Sequence, residues 1–375
     1  MKESVKATLY GSPVSLYSGK VRSYFIKAGI PFREEPPVTD HYEDVVLEKA
    51  GGRRSMPTVE LSDGQVIRDS AAIITHFEAE LGSPFIPDTP KQKVISLLFD
   101  VIGAEGLLRP AVHYRWRFPE NLPLVLSHFE EITPKNGPPQ FTVAGRIEQM
   151  QQACTKLGVT QDRIEFVESL YLRLLKKLDA HFERHPYLLG GKPSIGDFGL
   201  IGPMYAHLSR DIKPLTLMHE HGVHVLCWAE RMNRPDPGFS PAHEPEEDFL
   251  CNDEIPETLL EILRHIALDF VPETQAACDV VNEWIDSRPE LVSGTKVERS
   301  LGGDAIFDVE GKRMSSVVMP YRFYLLKRLQ DEVATSPAAM KQELIQLLAS
   351  VNMEELLDMT LTRGIGRAHN LEVWE

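Results

Sequence analysis

Residues 7–35 read ATLYGSPVSLYSGKVRSYFIKAGIPFREE. Ala7 to Tyr10 is a short apolar run cut by Gly11-Ser12-Pro13, after which Val21, Phe25 and Ala28 repeat at helical spacing until Gly29. That pattern predicts a strand, a turn and a helix, with Phe32 to Glu35 as a second strand. Moving outward, a helix is expected from about His41 to Lys49, stopped by Gly51-Gly52. Pro57 then opens Thr58 to Leu61, and Asp63-Gly64 turns the chain into Val66-Ile67, the signature of a hairpin. Ile73, Ile74, Phe77 and Leu81 form one helical face ending at Gly82. Strand-helix-strand-helix-strand-strand-helix describes a small mixed sheet with helices packed on it.

Helical periodicity dominates from about Pro90. Ile164, Val167, Tyr171, Leu174, Leu178 and Phe182 define a long amphipathic helix. Ser194 and Asp197 stand three apart before an apolar run, the spacing of a reciprocal helix cap. Ile132 to Gln140 and the proline-rich, acidic stretch Arg234 to Asp248 are expected to be a loop and a linker. Beyond the linker, two helices are expected, roughly Pro256 to Phe270 and Pro272 to Ile285. A hairpin turning at Glu310-Gly311 follows, with helices again from Tyr321 onward.

The 375 residues suit two domains or two plus an appendage, and 42% hydrophobic with 25% charged residues describes a folding chain. A net charge of -15 argues against nucleic acid, which needs a concentrated basic surface. No stretch approaches the roughly 20 apolar residues of a membrane span, and the start has no apolar segment of signal length, so a cytoplasmic protein is expected. Cys154, Cys227, Cys251 and Cys278 lie far apart without a metal-type pair, as reduced, scattered thiols do.

Taken in order, LYGSPVSLYSGKVRSYFIKAGIPF, SMPTVEL, IRDSAAIITHFE, LLGGKPSIGDFGL and VLCWAERMNRP resemble the glutathione transferase superfamily over roughly residues 5 to 235. The resemblance implies an α/β thioredoxin-like domain with a mixed four-stranded sheet at residues 5–84. An all-α glutathione transferase C-terminal domain is implied at 90–235. Residues 236–375 fall outside it and are expected to be a mostly helical extension. It further implies glutathione as co-substrate, an apolar small-molecule electrophile, no metal, no membrane or nucleic-acid partner, a homodimer and a role in detoxification. A non-catalytic binding or scaffold protein is the alternative, and the extension favours it.

The family likeness assigns glutathione's cysteinyl portion to Met56 and to Pro57, whose preceding bond is cis in relatives; an ordinary strand-opening proline is the other reading. Asp69 and Ser70 stand at a helix start, where free N–H groups and the helix dipole attract an anion. In relatives such a pair takes the γ-glutamyl end. Arg54 is the candidate for the glycyl carboxylate.

A thiol of pKa near ~8.5 needs about 2.7 kcal/mol of preferential thiolate stabilisation to drop about two units. One hydroxyl hydrogen bond supplies roughly 1.5–3 kcal/mol and a helix N-terminus a fraction to one more, so together they suffice. Counting back from Lys20-Val21-Arg22, Ser15 stands where relatives carry the catalytic Ser or Cys and is the chosen thiolate donor, with Tyr17 second and Ser18 third; turn and cap residues without chemistry are the other reading. With serine at both 15 and 18, disulfide exchange by a protein thiol is disfavoured. In the run His113 to Phe118, Tyr114 and Trp116 either line the electrophile pocket or pack. His219, His221, His224 and Cys227 are expected to open a helix rather than hold a metal.

Overall fold

The computed structural model describes residues 5–134, 142–235 and 248–375. Most of the expected loop after Ile132 and of the linker after Arg234 therefore lies outside the described residues. In the first domain β1 (Ala7–Tyr10), α1 (Leu16–Lys27) and β2 (Phe32–Glu35) fall where the apolar pattern puts them. A wide helical turn, Tyr42–Val46, runs into α2 (Leu47–Lys49). β3 (Thr58–Leu61), β4 (Val66–Arg68) and α3 (Ser70–Leu81) complete the domain. The strand order is β2-β1-β3-β4, with β2 parallel to β1 and the other neighbours antiparallel. β1 is central and wholly buried. Val21, Tyr24 and Phe25 from α1 and Ile73, Ile74 and Phe77 from α3 cover the sheet, whereas Leu81 is exposed. Gly82 ends α3 at φ 78°, a left-handed stop.

The second domain comprises α4 (Pro90–Val101), α5 (Leu108–Trp116), α6 (Leu122–Ile132), α7 (Val143–Lys156), α8 (Ile164–Phe182), α9 (Ile195–Pro203), α10 (Ile212–His221) and α11 (Val223–Met232). A wide turn, Ile102–Gly106, joins α4 to α5. α4 crosses α9 at backbone contact; a Cβ on Gly103 would lie 2.1 Å from the Gly199 carbonyl oxygen, so the crossing requires glycine. The expected cap at the start of α9 is present, and Asp197 also accepts from Leu188 N and Trp228 Nε1. The histidine-rich stretch does not open one helix. His219 and His221 close α10, Gly222 breaks the chain, and His224 belongs to α11, its N–H capped by the Asp179 carboxylate.

The last region holds α12 (Glu257–Asp286), β5 (Asp304–Val309), β6 (Lys312–Val317), α13 (Tyr321–Thr335), α14 (Ala338–Ser350), β7 (Ile365–Ala368) and β8 (Leu371–Trp374). The two helices expected around Pro272 are one helix of 30 residues. A mid-helix proline costs about 3 kcal/mol, but Ile262, Ile266, Phe270, Ala277 and Val281 continue one buried stripe across it, and that packing prevails. Helix to the end was also expected; instead β7 and β8 form a hairpin turned by His369 and Asn370, both at positive φ. The Glu310-Gly311 hairpin is present as read.

This region does not stand apart. Leu9, Phe99, Phe182, Phe270 and Trp374 belong to one continuous core. Three buried ion clusters pin it: Lys20–Asp100–Arg328 joins α1, α4 and α13, and Arg109–Glu273–Arg322 joins α5, α12 and α13. In the third, Glu372 of β8 meets Arg53 at 3.1 Å, Arg68 at 2.6 Å and Arg367 at 2.8 Å. Burial alone would raise the Glu372 carboxyl, but Arg68 and Arg367 outweigh it and hold the group below the usual carboxylate range. Its stabilising effect is therefore present above the unfolded value of 4.5 and disappears as pH falls through the lower folded value. Glu372→Gln should cost about 3 kcal/mol at neutral pH by denaturant unfolding, and the gap to wild type should close in acid.

Candidate glutathione site

The antiparallel register of β3 gathers three chain segments. Thr58 pairs with Tyr10 on one side and Arg68 on the other. Pro57, one residue earlier, thus lies between the turn that follows β1 and the Asp69 that follows β4. The Asp69 N–H donates to the Pro57 carbonyl at 3.2 Å. The Met56–Pro57 bond is cis. Neither the N–H nor the C=O of Met56 has a hydrogen-bond partner among the described residues, so a strand-like edge faces outward there.

The first turn is tightly held. Arg22 donates to the Ser12 carbonyl at 3.1 Å, Arg210 to Pro13 at 2.6 Å and Arg115 to Val14 at 3.2 Å. Arg115 is itself fixed by Asp211 at 2.7 Å. Three guanidinium groups thus anchor three successive carbonyls and lend the turn positive potential. Ser15 caps α1: its Oγ accepts from Ser18 N at 3.3 Å, which leaves the half-buried hydroxyl proton available to donate. Tyr17 donates instead to the Ala104 carbonyl at 3.1 Å, and burial, then Glu105 and Asp69, push its hydroxyl well above the ordinary tyrosine value. Ser18 is buried, accepting from Ser12 N at 3.3 Å within the turn.

Asp69 adopts φ 85°, a conformation that costs a non-glycine residue on the order of 1–3 kcal/mol. It is held by its contacts: Oδ1 accepts from Ala71 N at 3.0 Å and Ala72 N at 3.1 Å, and Oδ2 accepts from the Tyr321 hydroxyl at 2.6 Å. Ser70 is buried beside it. Arg54 spends its guanidinium on Glu43 and on the Pro37 carbonyl, over the Tyr42 ring. Tyr114 packs against Phe118 and Tyr171, and Trp116 against Phe129. Both rings are buried, and Trp116 shares its cluster with Val14 and Met56.

Local sequence signals did not disclose Glu105, Tyr321, Arg322, Arg115 or Arg210, which reach the site from remote elements. Glu105 lies beside Tyr17 and is 4% exposed. Burial above all, with Glu273 and Asp69 adding to it against Arg322 and Tyr17, pushes its carboxyl up to about 7. Among the described residues no group of three or more His, Cys, Asp and Glu could hold a metal, and no helix is long and apolar enough to cross a membrane. Between the unfolded value of 4.5 and about 7 the folded chain binds more protons at Glu105 than the unfolded chain, so wild-type stability falls across that window. Glu105→Gln, which does not titrate, should gain in urea midpoint relative to wild type from pH ~5 to pH ~8; a constant difference would contradict the buried carboxyl described.

Residues 9–85 match the family model described as glutathione S-transferase, N-terminal domain. No curated protein matches the chain. Among solved structures, a glutathione S-transferase from Methylobacterium radiotolerans, complexed with glutathione sulfonate, is 15% identical at a TM-score of 0.37, covering 62% of this chain and 92% of that one. A glutathione S-transferase from Rhodospirillum rubrum is 13% identical at 0.39, covering 68% and 99%. A beta-etherase from Sphingobium is 16% identical at 0.42, covering 63% and 96%. The match gives residues 9–85 the likeness of a glutathione S-transferase N-terminal domain, and the strand order β2-β1-β3-β4 falls within that first region.

Proposed function

We propose that the chain binds glutathione at the joined ends of β1, β3 and β4 and activates its thiol for attack on a small electrophile. The observation that carries this is the register that sets Ser15, Met56 and Asp69-Ser70 around one end of the sheet. Met56 offers unpaired backbone to the cysteinyl unit as an added strand. Ser70, at the positive start of α3, offers its N–H and hydroxyl to the γ-glutamyl carboxylate, the Ala71 and Ala72 N–H groups being taken by Asp69 Oδ1, and Asp69 offers a carboxylate to the ammonium. Ser15 is the hydroxyl left to donate to the sulfur, and Trp116 borders the turn from the helical domain. Arg54, already paired with Glu43, is a weaker partner for the glycyl end.

One observation favours a second reading, a binding protein without turnover: Tyr321 already occupies Asp69 Oδ2, which the ammonium would otherwise take. Calorimetry with millimolar glutathione separates the two from a chain that binds nothing, and thiolate absorbance of the bound tripeptide then tests the chemistry. Ser15→Ala should raise the bound thiol's pKa by about one to two units, as expected for losing one hydrogen bond to an anion. An unchanged pKa would remove Ser15 from the role.

A further inference from the structure

The first two domains and the last region meet around a space that glutathione at the sheet end does not use. It lies between the connection from α3 to α4, one face of α4 with Lys93 and Ser96, the start of α9, and Arg328 and Glu332 of α13. Its volume is about 190 Å³. A water takes about 30 Å³ in the liquid, so the space suits a molecule of several heavy atoms rather than a single water.

The lining divides by chemistry. Pro87 and Ile195 are buried and, with the half-buried Ile86 and Leu97, supply an apolar wall. Lys93, Arg328 and Glu332 are half-buried and bring charge. Spacings of three and four residues put Lys93, Ser96 and Leu97 on one side of α4, and Arg328 and Glu332 on one side of α13.

These charges do not cancel. Glu332 pairs with Lys93 at 2.8 Å. Asp100 accepts from Lys20 and, at 2.9 Å, from Arg328. Three cations thus meet two carboxylates, which leaves one positive charge in a chain whose net charge is -15. Arg328 spends only Nη1; its Nε and Nη2 have no hydrogen-bond partner among the described residues. Ser96 is 2% exposed, and its Oγ accepts from Gly196 N at 3.0 Å. Its own hydroxyl proton meets no acceptor among the described residues. Buried donors of this kind are normally satisfied, and leaving one unpaired is costly.

We propose that this space is a binding site for a small monocarboxylic acid with an aliphatic body. The carboxylate takes the free donors of Arg328, whose planar fork matches its two oxygens, and the hydroxyl proton of Ser96 gains its acceptor. The aliphatic body lies against Ile86, Leu97 and Ile195 and leaves water. One negative charge balances the one positive charge in excess; phosphate overcompensates it and has nothing to offer the apolar wall. A ligand held there touches the connection between the first two domains, α4, α9 and α13, and so ties the last region to both. The assignment does not depend on glutathione binding at the sheet end.

Calorimetric titration of the full chain with sodium hexanoate tests the site, with 1-hexanol and inorganic phosphate as comparisons. Hexanoate should bind roughly tenfold or more tightly than either, and Arg328→Met and Ser96→Ala should each weaken it about tenfold. Hexanol that binds as well as hexanoate overturns the role of the cations, and phosphate that binds as well overturns that of the apolar wall. No hexanoate heat at millimolar concentration, or unchanged affinity in either folded variant, overturns the site altogether. Because Arg328 also pairs with Asp100, Ser96→Ala and the wild-type comparison decide if Arg328→Met does not fold.

Discussion

Everything at the candidate site depends on how β3 is held between its neighbours. Because β3 runs antiparallel to both β1 and β4, its beginning coincides with their ends. The bond from Asp69 N–H to the Pro57 carbonyl closes that arrangement. A slip of one residue would invert every side chain of β3 between sheet faces, so burial of Val59 against the core fixes the register. The same burial that stabilises the sheet therefore positions two helix starts and one unpaired strand edge at the same end of the sheet.

A second constraint comes from charge. The region after residue 248 is pinned by ion clusters whose carboxylates are buried, and each draws partners from the first two domains. Buried pairs often add little net stability, yet breaking one leaves an uncompensated charge. Such clusters specify one docking arrangement, and here that arrangement brings Tyr321 onto Asp69 and Arg322 beside Glu105. Residues far along the chain thereby come to lie against the candidate residues of the first domain.

Much of the fold was legible because its signals are local. The strand-turn-helix of residues 7–29, the amphipathic α8 and the cap at Ser194 and Asp197 each follow from spacing within a single element. Pro272 misled, since a local breaker was overruled by an apolar stripe that only packing against α8 and β5 makes decisive. The β7–β8 hairpin carried a weak signal, a His-Asn turn in place of the usual glycine pair. At the candidate site, Ser15, Met56, Pro57, Asp69 and Ser70 were named through the family resemblance of their local motifs, and each lies within a few residues of the end of β1, β3 or β4. Arg115 and Arg210 were not, for their task is to bind carbonyls about 100 and 200 residues earlier in the chain. Glu105 looked like one acid among the 55 carboxylates of an acidic chain, and only tertiary burial distinguishes it.

The central claim is that one sheet end cradles glutathione and ionises its sulfur. A crystal structure of the chain with glutathione bound tests it most directly. The account predicts the tripeptide paired with the backbone of Met56, its γ-glutamyl end at Asp69-Ser70 and its sulfur within about 3.5 Å of Ser15 Oγ. Glutathione bound away from Met56, or a sulfur directed to another group, would contradict it.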